Sequence, residues 1–310
     1  MRLRVFDRSA FVRVAGLMAP PLFFVLSLAA PAAAQGNGHG HAYGRYRGGA
    51  SPSPSSGGAS QLQTEVPGLT GTGVRNFGAW LDDASLLPPG SGSLSISFSW
   101  FRSPVFREFD APVVDGGIGM MRRVQFGFSV PYYYANEPGG PIARGVGDLY
   151  LNAKVQLRDP AAHANGVGFA VTPVLEMLSS DPGPGGSRYH WAVPVSMEVQ
   201  RRAVRMFGSV GYFSRGSVFA SAALELALSD RAWTTGAVTR SHSTKPDEFS
   251  RALGLSQSRT DVNGSVTYLV VPAVGVFGSV GRTVSRQDAN SASLLVSGGV
   301  SFNFAAWTKP

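Results

Sequence analysis

The 310-residue chain has no cysteine, few charged residues and, beyond its first 34 positions, no long apolar run. Lack of thiols excludes disulfides, zinc–thiolate centres, iron–sulfur clusters and cysteine nucleophiles. It also suits an exported chain, which enters an oxidising compartment with nothing to cross-link. Charged residues make up 15%, against roughly 25% in an ordinary soluble domain. Lysine is almost absent. A mean hydropathy of +0.04 is too polar for a bundle of membrane helices, and a spanning helix would need about 18 consecutive apolar residues. The net charge of +8 is not concentrated: Arg2, Arg4, Arg8 and Arg13 against Asp7 account for three of it, and the remaining excess is read as turn and loop arginine. No basic block interleaved with aromatics occurs, so nucleic acid is not an expected partner.

What is abundant is glycine, 39 residues of it, together with serine. Low charge, many small residues and middling hydropathy suit strands that alternate apolar with small polar side chains.

The first 34 residues combine a basic stretch to Arg13, an apolar run from Val14 to Ala30, and Ala32-Ala33-Ala34. This three-part pattern is that of a cleaved signal peptide, with the cut expected after Ala34 and the cell outer membrane as destination. Pro20, Pro21 and Pro31 interrupt the run, which argues against a retained helix. Residues 35–64 are Gly/Ser/Pro-rich and are expected to form a disordered tail, lacking the apolar residues to offset ordering entropy. His39 and His41 read there as bystanders rather than metal ligands. Residues 65–91 regain Leu69, Phe77, Trp80, Leu81, Leu86 and Leu87 before Pro88-Pro89-Gly90. They are expected to form a short periplasmic element or plug, either packing at the barrel mouth or entering the lumen.

From Gly92 the period becomes 2. Leu94, Ile96, Phe98 and Trp100 alternate with Ser93, Ser95, Ser97 and Ser99, so a strand there has one apolar and one hydroxyl face. The same alternation marks residues 92–102, 111–120, 123–134, 146–158, 166–178, 188–200, 203–214, 217–228, 231–242, 260–271, 273–285 and 292–304. Most of these runs have the length that crosses a bilayer when tilted. Only a closed barrel pairs every backbone group of such strands in lipid. The expected fold is therefore all-β: a transmembrane antiparallel β-barrel of about twelve strands over 92–304, with a C-terminal extension at 305–310. A soluble sandwich would carry many Lys and Glu on its exposed face, where this chain has Ser, Gly, Asn and Thr. Short links alternate with longer ones, as periplasmic turns alternate with outer loops. The links 159–165 and 214–217 break that rule. Aromatics gather at strand ends, and the last strand finishes Phe302-Asn303-Phe304, similar to the C-terminal aromatic signature of outer-membrane proteins.

Three segments carry a wider likeness: Gly117 to Pro131, Gly145 to Leu157, and Phe207 to Tyr212. Over roughly residues 85–304 the chain resembles the outer-membrane transporter family associated with the meta-pathway of phenol degradation. The resemblance implies a barrel that admits small compounds, often apolar or aromatic.

Strand parity turns Asp115, Asp148, Glu176, Glu198, Glu225 and Asp261 inward, with Arg123, Lys154, Arg158 and Arg205. Charges facing lipid are costly, so ionisable strand residues belong inside. They would either line a pore and tune its solutes or form ion pairs that fill and stiffen a narrow barrel. Glu176 and Glu198, on adjacent strands, are expected to share one part of the lumen wall. Ser241-His242-Ser243 and His190 are the residues a lipid-modifying barrel enzyme would offer, but no Ser–His–acid spacing and no G-x-S-x-G motif accompanies them. No catalysis, cofactor or metal is expected. The leading expectation is a passive channel for small solutes, with outer-membrane lipid and the barrel-assembly machinery as partners. A structural or adhesive barrel without transport is the alternative, and an enzyme ranks third.

Overall fold

The computed structural model describes residues 81–104, 107–136, 143–160, 166–179, 187–201, 204–214, 216–244, 256–288 and 291–306, together with a two-residue antiparallel pairing of His39–Gly40 with Gly58–Ala59. The expected signal peptide, most of the expected tail and residues 65–80 lie outside the described residues.

Twelve strands form one sheet: β1 (Ser91–Arg102), β2 (Arg107–Met121), β3 (Val124–Asn136), β4 in two pieces (Ala143–Val146 and Leu149–Arg158), β5 in two pieces (Val167–Val171 and Val174–Met177), β6 (Tyr189–Arg201), β7 (Val204–Phe213), β8 (Ser217–Ser229), β9 (Ala232–Ser243), β10 (Ser258–Val271), β11 (Val274–Thr283) and β12 (Leu294–Ala305). Each strand pairs antiparallel with the next, and β12 returns to β1, Leu294 opposite Arg102 and Ala305 opposite Ser91. The sheet is therefore a closed barrel with no free edge, as its alternating sequence requires. Two residues separate β2 from β3, β8 from β9 and β10 from β11; these tight turns share one end with both chain termini of the barrel.

Side chains are distributed inside out relative to a soluble protein. Ile96, Met197, Met206, Val210 and Leu228 are exposed on the outer wall, while Ser95, Gln125, Ser129, Lys154, Ser196 and Glu198 are buried within. A continuous apolar exterior of this kind is stable against hydrocarbon rather than water. Among the described residues no helix is long and apolar enough to cross a membrane, so crossing falls to the strands. Outward aromatics cluster towards the loop end, Tyr132 against Tyr134 at 5.2 Å and Trp191 against Tyr212 at 5.8 Å between ring centroids. That is where an amphipathic ring meets the interface.

Two local departures from the sequence reading matter. β2 starts at Arg107, four residues before the expected boundary, because a bulge takes Ala111 and Pro112 out of both neighbouring ladders and resets the parity. Proline lacks the donor a ladder needs, so a bulge is where a strand tolerates it. β5 breaks at Thr172-Pro173 for the same reason.

Candidate functional site: a plugged lumen

Residues Leu81 to Leu87 lie inside the barrel, all of them buried. The plug enters past β2 by a very close backbone approach. Gly90, at φ 82°, donates its N–H to the Gly119 carbonyl at 2.8 Å. A Cβ on Gly119 would collide with the carbonyl oxygens of Pro88 and Leu87. Only glycine fits at that position, and only a residue tolerant of positive φ suits the turn.

Polar side chains of five strands then hold the plug. Lys154 on β4 is 0% exposed and sits 2.5 Å from Asp82 and 3.1 Å from Asp83. Arg205 on β7 reaches Asp83 at 2.5 Å and lies 3.7 Å from both Glu198 and Glu225, while its guanidinium stands 4.4 Å over the Phe207 ring. Thr172 and Ser196 donate hydroxyls to Asp82 at 2.7 and 3.2 Å. Ser85 donates to Glu198 at 2.7 Å, Gln156 donates to the Ala84 carbonyl at 2.7 Å, and the Leu87 N–H donates to Gln125 at 2.7 Å. Leu81 completes the attachment by packing on Phe207 and Ala223. Burial pushes the Asp82 carboxyl above its ordinary pKa; the Lys154 ammonium opposes this and neighbouring Asp83 adds to it. A network this dry is worth little per pair when intact, yet is costly to leave half made.

A second layer is apolar. Val113, Tyr150, Val174, Ala192, Phe213 and Phe219 form one buried cluster of inward-facing side chains running from β2 round to β8. β2 and β8 are six strands apart in a ring of twelve, so this greasy band covers about half the circumference.

The sequence-selected residues separate into groups. Lys154, Glu198, Arg205 and Glu225 come together around the plug. Asp115 is buried against Ser95 and Ser129, which donate to it at 3.1 and 2.5 Å. Asp148 sits in the break of β4 and accepts from the Ser179 N–H and hydroxyl. Asp261 is held by Arg259 at 2.9 Å and by the Thr283 hydroxyl at 2.6 Å. Arg158 is half-buried at the end of β4. Arg123, expected inside, lies in the β2–β3 turn and is exposed. Glu176 and Glu198 do not share one part of the wall. Register sets Glu176 opposite His190 but Glu198 opposite Gly168, eight residues away, or about 26 Å along the strands. Glu176 instead accepts from the Tyr150 hydroxyl at 2.5 Å. Ser241 and Ser243 face inward and are buried, while His242 between them is exposed and bonds Ser258 at 2.8 Å. Alternation therefore keeps that histidine from its flanking serines. Residue-by-residue reading passed over Asp82, Asp83, Glu108 and Asp110; the visible signal for the first two is an acid pair set inside an apolar run.

No protein-family model and no curated protein matches the sequence. Among solved structures, an outer membrane channel from Pseudomonas putida F1 is similar at 12% identity and a TM-score of 0.55, over 72% of this chain and 98% of that one. The KdgM porin, solved in complex with disordered oligogalacturonate, is similar at 11% identity and a TM-score of 0.47, over 68% and 99%. The first likeness concerns the fold, that of an outer-membrane β-barrel.

Proposed function

We propose that the protein is an outer-membrane channel for small solutes, apolar or aromatic ones among them, closed at rest by its own residues 81–87. The apolar band from Val113 to Phe219 carries this reading. An inert barrel has no need of a greasy band across half its lumen, whereas a hydrophobic constriction excludes water and ions yet offers apolar solutes a favourable wall. The likeness to the transporter family of the phenol meta-pathway supports the same solute class. Export with cleavage after Ala34, outer-membrane lipid around the exposed belt and insertion by the barrel-assembly machinery complete the proposal.

Flux into proteoliposomes tests it. With the plug released by Lys154→Met, phenol should enter faster than a neutral sugar, and the preference should shrink in Phe213→Ser. Equal entry of both solutes, unaffected by Phe213→Ser, would defeat the solute assignment. No entry of either would favour the structural or adhesive barrel.

A further inference from the structure

A second acidic cluster lies away from the plug, in the loop half of the lumen, and no Lys or Arg among the described residues pairs with it. Glu108 and Asp110 alternate on β2 with outward-facing Phe109, so both carboxyls point inward. They are 2% and 0% exposed, and among the described residues no donor reaches their oxygens. The two carboxyls stand two residues apart on the same inward face of β2. Ser99 stands directly opposite Asp110 on β1, inward and 3% exposed, and its hydroxyl likewise has no partner among the described residues.

Two adjacent carboxylates cannot remain ionised in a dry site without a compensating positive charge. A shared proton or a bound cation would supply it. Ser99 separates the two. Beside a proton-sharing pair its hydroxyl would be free to donate, as Ser95 and Ser129 donate to Asp115. Here the hydroxyl is unspent, and its oxygen is available as a ligand. The donors are all oxygen, which selects a hard cation over zinc, copper or iron. The closed packing leaves little room for the water shell that magnesium retains, whereas calcium takes carboxylates in bidentate fashion. The bulge at Ala111 and Pro112 takes the next two residues out of both ladders beside Asp110. The geometry points to a calcium site formed by Glu108, Asp110 and Ser99. It is independent of the transport reading.

Calcium titration of the refolded full barrel in detergent free of lipopolysaccharide tests this, by calorimetry and by melting with calcium, magnesium or EDTA. One calcium should bind per chain and raise the melting temperature, magnesium should do much less, and Glu108→Gln/Asp110→Asn should abolish both effects. Ser99→Ala should weaken binding about ten-fold; it serves alone if the double variant does not fold. Asp115→Asn should leave binding unchanged. Absence of calcium binding in the unmodified protein, or equal binding in the variants, overturns the site. A barrel indifferent to calcium and stabilised at neutral pH by the double substitution would mean a shared proton only.

Discussion

Lys154→Met is the sharpest probe of how the plug is held. The ammonium is fully buried, touches Asp82 at 2.5 Å and Asp83 at 3.1 Å, and also reaches the Ser85 carbonyl at 3.4 Å. Without it Asp83 still has Arg205, but Asp82 loses its cationic partner and keeps neutral donors, the hydroxyls of Thr172 and Ser196 and the Asp83 N–H at 2.9 Å. Breaking a buried pair from one side costs about 3–5 kcal/mol. At about 1.4 kcal/mol per factor of ten, the ratio of docked to undocked plug should fall by roughly two to three and a half decades. The β4 ladder is made by backbone groups, so the barrel itself should survive. Because the chain has no native cysteine, Ser85→Cys supplies the only thiol, and its maleimide labelling reports undocking. Labelling should be about a hundred-fold faster or more in Ser85→Cys/Lys154→Met than in Ser85→Cys alone, on the same free-energy scale. Lys154→Arg, which keeps the charge, should lie between. Equal labelling rates in barrels that retain heat-modifiable gel mobility would refute ion pairing as the hold on the plug.

Ile96→Arg should impair insertion by about 2–4 kcal/mol, because Ile96 faces lipid, while Ser97→Arg on the lumenal face should be tolerated; folded fraction by gel mobility reads both. Gly119→Val should speed Ser85→Cys labelling by pushing on the Pro88 and Leu87 carbonyls. Phe213→Ser should raise ionic conductance in the Lys154→Met background and leave it unchanged with the plug docked, since the two barriers lie in series. Deleting residues 36–64 should leave folding intact, as judged by gel mobility, because that stretch has too few apolar residues to build a core.

The barrel was legible in the alternation of residues such as Ile96 and Ser97, since a period of 2 is a local property of the chain. So was the inward direction of Glu198, Arg205 and Lys154, which follows from parity alone. What could not be read is what depends on distant residues. The Ser85–Glu198 contact joins positions 113 apart, and nothing local distinguishes a plug from a segment resting at the mouth. The separation of Glu176 from Glu198 depends on register, which the side-chain period does not reveal. Glu108 and Asp110 were missed because β2 seemed to begin at Ala111. The Ala111–Pro112 bulge interrupts the alternation there, although Pro112 in a strand is itself a sign of a bulge.

Single-channel recording compares the full-length protein with a variant that lacks residues 81–87 and carries Phe213→Ser, so that both the plug and the apolar barrier are opened. A plugged channel should show the full-length barrel silent or only briefly open in a planar bilayer, and the variant steadily conducting with a pore-sized step. A full-length barrel that conducts steadily, at the same level as the variant, would contradict closure by the plug. A folded variant that never conducts would contradict the channel itself.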